Sequence, residues 1–376
     1  MKFALLNECA VPKGMPYHVR YHEALKEIQR AEEMGFDVVG TSEQHFVGSA
    51  YTVSAPEVLL GAIAALTSTI KIRPMAIVML KYNHPIRIAE RLATIDILSN
   101  GRLEIGTARS NNIEYMNAFG VDASQTREEW RETLEVTVRA LVENPLEFHG
   151  KHYDIAPVNV VPKMVQRDCP PLYVSATSVR THTTAGEMGL GAMTFENWFG
   201  WDYLAECIAA YQDGCARAQP VDGLWQPTRA QSLLTFPAHC AATREQAMAE
   251  SRTTVLGLFN AVSHMYLSLA GEGGDYAYLD RIKELAEHKN DMQYLMKSSP
   301  ALVVGTPDEV IDRIKALEQM GIDEVILKID GYGHQITLNS IEMFGKYVIP
   351  EFKSPRTVPA NDWDALGVDG VERNLL

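Results

Sequence analysis

Three segments far apart in the chain share one local design: A-E-E-M-G-F-D-V-V at 31–39, A-G-E-M-G-L-G-A-M at 185–193 and L-E-Q-M-G-I-D-E-V at 317–325. Each reads as the last turn of a helix, a Met-Gly pair in which glycine supplies the left-handed cap, and an apolar strand. A chain that repeats helix, glycine and strand builds βα units, whose strands run parallel with helices covering them. The last unit carries its own start signal, with Thr306 as N-cap, Pro307 in the first turn, Glu309 closing a capping box and Gly321 as the stop.

Strand candidates found in this way are 3–7, 37–42, 70–80, 102–107, 172–176, 190–195, 229–240 and 324–330. Eight parallel strands close a barrel, so the predicted fold is α/β, a (β/α)8 TIM barrel with insertions, and 376 residues suit it. One domain is expected over 1–353, followed by a C-terminal tail at 354–376. Two stretches break the repeat, 145–170 and 262–300, and insertions of that length serve as lids or interfaces. The second is the candidate lid.

Hydrophobic residues make up 46% of the chain and charged residues 22%, enough to build a large core without disorder. With 34 Lys and Arg against 48 Asp and Glu, the net charge of -14 argues against nucleic acid and anionic lipid as partners. Five cysteines without a C-x-x-C pair read as free thiols in a reducing compartment. The apolar run at 3–6 is too short for a signal peptide, and no stretch has the length of a membrane span. A cytoplasmic location and no membrane association are expected.

Working residues of such barrels follow the C-terminal ends of strands. There the chain places T-S-E-Q-H-F at 41–46, K-Y-N-H-P at 81–85, A-R-S-N-N at 108–112, A-T-S-V-R-T at 176–181 and E-N-W-F at 196–199. Arg109 could clamp a phosphate, with Thr177, Ser178 and Thr181 adding donors where the next helix begins. A rim ion pair and ordinary helix capping are the competing account of the same residues. His45 and His84 suit acid–base work, or else plain structural hydrogen bonding. Phe46, Met79, Phe195, Trp198, Phe199 and Trp201 could line an apolar pocket or simply pack the rim. No strand ends in H-x-H, and H-G-K-H at 149–152 lies in an insertion, so no metal site is expected.

These residues, in this order, resemble the bacterial luciferase family, especially its catalytic subunit. The likeness is carried by the opening M-K-F, then M-G-F-D-V-V-G-T-S-E-Q-H-F, the long block H-P-I-R-I-A-E-R-L-A-T-I-D-I-L-S-N-G-R-L-E-I-G-T-A-R-S, F-G-V-D-A-S-Q-T-R and V-G-T-P-D-E-V-I. The resemblance implies a two-component flavin-dependent monooxygenase. Such an enzyme takes reduced FMN from a separate flavin reductase, reacts it with O2 to a flavin 4a-hydroperoxide, and transfers one oxygen atom to a small organic, partly apolar substrate. It further implies that Arg109, Thr177, Ser178 and Thr181 hold the flavin phosphate, with Thr177 replacing a glutamate. A cis peptide under the ring is expected at Met75–Ala76. Gln44, His45, His84 and Asn111 are expected to face the ring or the substrate, and a homodimer or a related hetero-pair is expected to pack through the second and third helices, where 55–66 is apolar.

Two departures matter. Ala108 stands where the family has a reactive cysteine. Gln44 stands where luciferase has its catalytic histidine, and an amide cannot be a general base, so light from a long-chain aldehyde is not expected. Two other functions fit the same residues: a sister oxidoreductase using a deazaflavin coenzyme, and a flavin-binding protein without catalysis.

Overall fold

The computed structural model describes residues 1–353 except Ala50, Asn111, Asn197, 221–222 and 268–273. The tail expected at 354–376 lies outside them. Thirteen strands are described, β1 (Lys2–Leu6), β2 (Val38–Gly40), β3 (Lys71–Ile72), β4 (Ile77–Val78), β5 (Ile105–Ala108), β6 (Leu146–His149) and β7 (Asp154–Val158) in the first half. The second half adds β8 (Leu172–Ala176), β9 (Gly191–Thr194), β10 (Gln231–Thr235), β11 (Ala238–Cys240), β12 (Val303–Gly305) and β13 (Glu324–Lys328). Helices α1 (Tyr17–Glu33), α2 (Pro56–Leu66), α3 (Pro85–Leu98), α4 (Ile113–Ala118), α5 (Thr126–Val142) and α6 (Val179–Glu187) precede residue 190. After it come α7 (Trp201–Ala216), α8 (Arg244–Leu267), α9 (Ile282–Glu287), α10 (Met292–Ser298), α11 (Pro307–Met320) and α12 (His334–Met343).

The main sheet runs β3-β2-β1-β13-β10-β9-β8-β5-β4, every pairing parallel. β3 and β4 are two halves of one barrel strand, so the two ends of the ribbon are the same strand and the sheet closes with eight positions. Closure is completed at Ile72, whose N–H donates to Arg102 O at 3.0 Å and whose carbonyl accepts from Glu104 N at 2.9 Å. The fold is the expected α/β barrel.

Side-chain alternation assigns the two faces. Phe3, Leu5, Val39, Ile105, Val174 and Val325 belong to the cluster shared with the helices, whereas Ala4, Leu6, Val38, Tyr173, Met193 and Ile326 form a separate interior cluster. Below that interior layer Arg73, fully buried, bonds Glu104 and Glu324 and lies 3.8 Å from the centroid of the Tyr173 ring. Ser232 Oγ donates to Glu324 Oε1 at 2.7 Å, so both carboxylates are tied into one polar plug.

Two strand expectations need correction. The run 70–80 is broken at 73–76, where the backbone bulges into the barrel; a Cβ on Gly40 would sit 1.9 Å from Arg73 O, and one on Gly106 would sit 2.1 Å from Pro74 O. Only glycine lets that bulge approach. The run 229–240 is two strands, because Phe236-Pro237 turns the chain and β11 leaves the barrel to pair with β12, a strand absent from the sequence reading.

The helix-end readings match. Gly35, Gly189 and Gly321 take φ of +84°, +69° and +104°, and Thr306 with Glu309 forms the full capping box of α11. The insertion at 145–170 contains the antiparallel hairpin β6–β7. The insertion expected at 262–300 starts earlier, since α8 already departs from the repeat at Arg244. Among the described residues no helix is long and apolar enough to cross a membrane.

Candidate active site

At the C-terminal mouth of the barrel lies a cavity of about 850 Å3, with walls from the ends of β1, β2, β4, β5, β8, β9, β10 and β13. One wall is basic. Arg109 follows β5, Arg127 starts α5, Arg180 starts α6, and all three line the cavity. The Arg109 guanidinium donates to Thr126 Oγ1 at 3.4 Å, which orients it along the rim. Ser178 is the N-cap of α6, accepting from Thr181 N at 3.2 Å, and its hydroxyl lies 2.9 Å from Thr181 Oγ1. Guanidinium groups beside a capped helix N-terminus form an anion cradle.

Thr177 is fixed from outside the barrel. Tyr203 of α7 donates its hydroxyl to Thr177 O at 2.7 Å, and Tyr278 lies 3.3 Å from Thr177 Oγ1. Tyr278 comes from the long insertion, as do the cavity-lining Val262 and Tyr266. The candidate lid therefore forms part of the wall.

The base of the cavity is the apolar layer of Leu6, Met75, Ala76, Met193 and Ile326, and the Met75–Ala76 peptide is cis, as expected. To one side Glu43 organises a second group. Its Oε2 accepts from Val78 N at 2.9 Å, its Oε1 lies 3.1 Å from His45 Nε2, and Tyr82 donates to the same oxygen. Burial, and then the Glu43 charge, push the Tyr82 and Tyr115 phenols well up, so both are fixed donors. The His45 ring packs against both Tyr115 and Phe119, with centroids at 5.0 and 5.1 Å.

A third polar group lies where β1 and β13 end. Gln44 Nε2 donates to Ser42 Oγ at 3.1 Å, and Ser42 donates to Glu8 Oε1 at 2.6 Å. Asp330 Oδ2 accepts from Glu8 N at 2.9 Å, and Lys328 Nζ is bonded to Asp330 Oδ1. Aromatic Tyr51, Phe195 and Phe236 border this end of the cavity.

Gln44, His45, Met75, Ala76, Arg109, Thr177, Ser178, Thr181 and Phe195 are thus gathered on one cavity. Four expected members are not, and each has a physical reason. His84 is the exposed N-cap of α3, held there because Pro85 opens the helix, with its ring accepting from Ile86 N at 3.3 Å. Phe46 takes φ of +62° and turns outward to 61% exposure. Met79 is buried in the cluster between strands and helices. Trp198 takes φ of +58° and drops into a second core, where its indole donates to Phe236 O at 3.1 Å and packs on Phe259. Of the other two aromatics, Phe199 packs on Tyr203 and Trp201 lies under Arg313. Asn111 lies outside the described residues.

Glu8, Tyr51 and Arg127 were missed by sequence reasoning, and Ser42 and Arg180 lay in the segments singled out without a role of their own. The signal for Glu8 was available: N-E directly follows the first strand, as K-I-D ends the last.

The profile of the luciferase-like monooxygenases matches residues 1–324. The oxygenase component of a flavin-dependent trigonelline monooxygenase from Acinetobacter baylyi is 26% identical over 342 residues, 89% of this chain and 91% of that protein. Among solved structures, the FMN complex of the oxygenating constituent of 3,6-diketocamphane monooxygenase from Pseudomonas putida, a type II Baeyer-Villiger enzyme, superposes with a TM-score of 0.75. The match has 20% identity and covers 94% of this chain and 99% of that one. A coenzyme F420-dependent tetrahydromethanopterin reductase from Methanopyrus kandleri gives 0.69 at 20% identity, with 94% and 99% coverage. At such identities the structural likeness speaks to the fold.

Proposed function

This chain belongs to the luciferase-like monooxygenase family, and we propose that it is the oxygenase component of a two-component system. In this reading it uses reduced FMN delivered by a partner flavin reductase, together with O2, to oxygenate a small organic, partly apolar substrate. The observation that carries the reading is the basic wall, where Arg109 and the N-cap pair Ser178 and Thr181 come from neighbouring strands onto one side of one cavity. The relative from Acinetobacter baylyi, itself an oxygenase component, supports the two-component form.

The residues present fit FMN. Its phosphate is a dianion that matches guanidinium donors and a helix N-terminus, and the cavity falls within the ~300–1,000 Å3 usual for small-molecule sites. When bound, reduced FMN supplies the activation of O2 for transfer of one oxygen atom. The protein's share is positioning, exclusion of water and proton handling. Arg109, Ser178 and Thr181 anchor the phosphate. Met75, Ala76, Met193 and Ile326 form a dry floor. Glu43 engages His45 Nε2 at 3.1 Å, which orients the ring at the edge of the cavity.

The domain of 1–353 acts as a cytoplasmic homodimer in this proposal. Val58, Leu66, Ile97 and Leu98 on the outer faces of α2 and α3 are 75%, 44%, 42% and 52% exposed, an apolar surface suited to a second copy.

The test is anaerobic titration with reduced FMN, followed by aerobic turnover with a flavin reductase and labelled O2. Binding of reduced FMN and label in the product are expected, with affinity falling at least tenfold in Arg109→Ala. Selective binding of reduced F420, or flavin binding without oxygen-dependent product, would falsify the proposal.

A further inference from the structure

Position 44 carries an amide that does not titrate, yet its hydrogen bonds lead to a group that does. Gln44 donates to Ser42, and Ser42 donates to Glu8 Oε1. Glu8 is 3% exposed and borders the cavity, and its other oxygen, Oε2, is buried without a hydrogen-bond partner among the described residues. An unmet carboxyl oxygen on a residue that borders a ligand cavity is a costly arrangement in the absence of a group that completes it.

The surrounding charges define its form. Lys328 is committed to Asp330, and Asp330 also accepts from the N–H groups of Glu8 and Ala10 at 2.9 and 3.2 Å. Cys9 and Tyr51 also act on Glu8, while Asp330 further faces Tyr332 and Arg20, the latter already paired with Glu27. The cluster therefore holds two carboxyl groups and one ammonium, and Glu8 is the one in excess. Burial pushes its carboxyl up to about 7, with Lys328 and then Ser42 acting in the opposite direction.

We propose that Glu8 is a catalytic residue that holds a proton at Oε2 and shares it with an oxygen atom of an uncharged substrate, whose apolar body packs against Tyr51, Phe195 and Phe236. The inference rests on the oxygenase reading and deepens it by naming the substrate class and the proton donor. The step moves one proton and no electrons. As negative charge grows on the substrate oxygen, the neutral carboxyl gives up its proton and becomes a carboxylate held by Ser42 and facing Lys328. It recovers a proton from the same oxygen or from water when product leaves. Glu8 thus takes the titrating role that Gln44 cannot fill.

The test combines infrared difference spectroscopy of the full-length protein, wild type minus Glu8→Gln, with steady-state kinetics. A protonated carboxyl band that disappears with a midpoint near 7 is expected, moving to lower frequency when cyclohexanone fills the cavity. Ser42→Ala, which keeps the carboxyl but removes a group that lowers its pKa, raises that midpoint. Glu8→Gln keeps reduced-FMN affinity within about twofold while kcat falls on the order of 100-fold and the pH limb near 7 disappears. No titrating band, a band that ignores cyclohexanone at its solubility limit, or tighter binding of benzyltrimethylammonium than of cyclohexanone overturns the inference. Loss of FMN binding in Glu8→Gln alone also overturns it, by showing a structural role, whereas failure of wild type to bind FMN defeats the oxygenase reading instead.

Discussion

The Trp130 indole Nε1 donates to Thr107 Oγ1 at 2.9 Å, and both residues are buried, so α5 is bolted to the strand that delivers Arg109. The same helix begins with Thr126, the acceptor for the Arg109 guanidinium. Trp130→Phe leaves the Thr107 hydroxyl without its partner and a small void beside it, for a loss of about 2–3 kcal/mol. Urea unfolding should show a lower midpoint at unchanged slope, with a several-fold weaker affinity for reduced FMN.

Ser178 has two tasks that substitutions can separate. Ser178→Ala removes the N-cap of α6 and should cost about 1 kcal/mol, whereas Ser178→Gly should cost only a few tenths. Both variants lose the hydroxyl at the anion cradle, so both should weaken FMN binding to a similar extent. Affinities that track stability instead would show that Ser178 serves the helix alone.

Glu196 is buried at the end of β9, bonded to Ser299 and to Gly200 N, and burial pushes its carboxyl up to about 7 despite those bonds. A folded-state value above the unfolded 4.5 means that the folded protein holds the proton more tightly. Its contribution is full below 4.5 and declines as pH rises through about 7, amounting to about 3 kcal/mol. Glu196→Gln should flatten the stability profile between those values, whatever its absolute stability. A variant as pH-dependent as the wild type would contradict this.

Reduced FMN, oxygen and decanal should give little light. Gln44 gives one amide N–H to Ser42, and the amide has no pKa near neutrality with which to act as a base. Bright emission in a luminometer under those conditions would show that base assistance at position 44 is not needed.

Periodicity and caps are local, so the barrel was legible: Met-Gly pairs at 34–35, 188–189 and 320–321 mark helix ends in any context. Partner choice is not local, and nothing in 238–240 reveals that it pairs with 303–305 outside the barrel. Pro237 inside the run was the available hint. Arg109, Ser178 and Thr181 were legible because their strands are neighbours. Phe46 and Trp198 were not, because a left-handed backbone at the strand end reverses where the ring goes, and spacing does not disclose φ. The role of Glu8 was not legible because it follows the first strand and its partner Asp330 follows the last, and the pairing of those two strands is not local in sequence.

Arg73 with its two carboxylates closes the barrel axis below the apolar floor. The chamber above it is therefore a blind alley, and traffic in a blind alley has an order. Among the described residues the barrel offers no way through its floor, so whatever settles deepest against Met75 and Ala76 enters first and departs last.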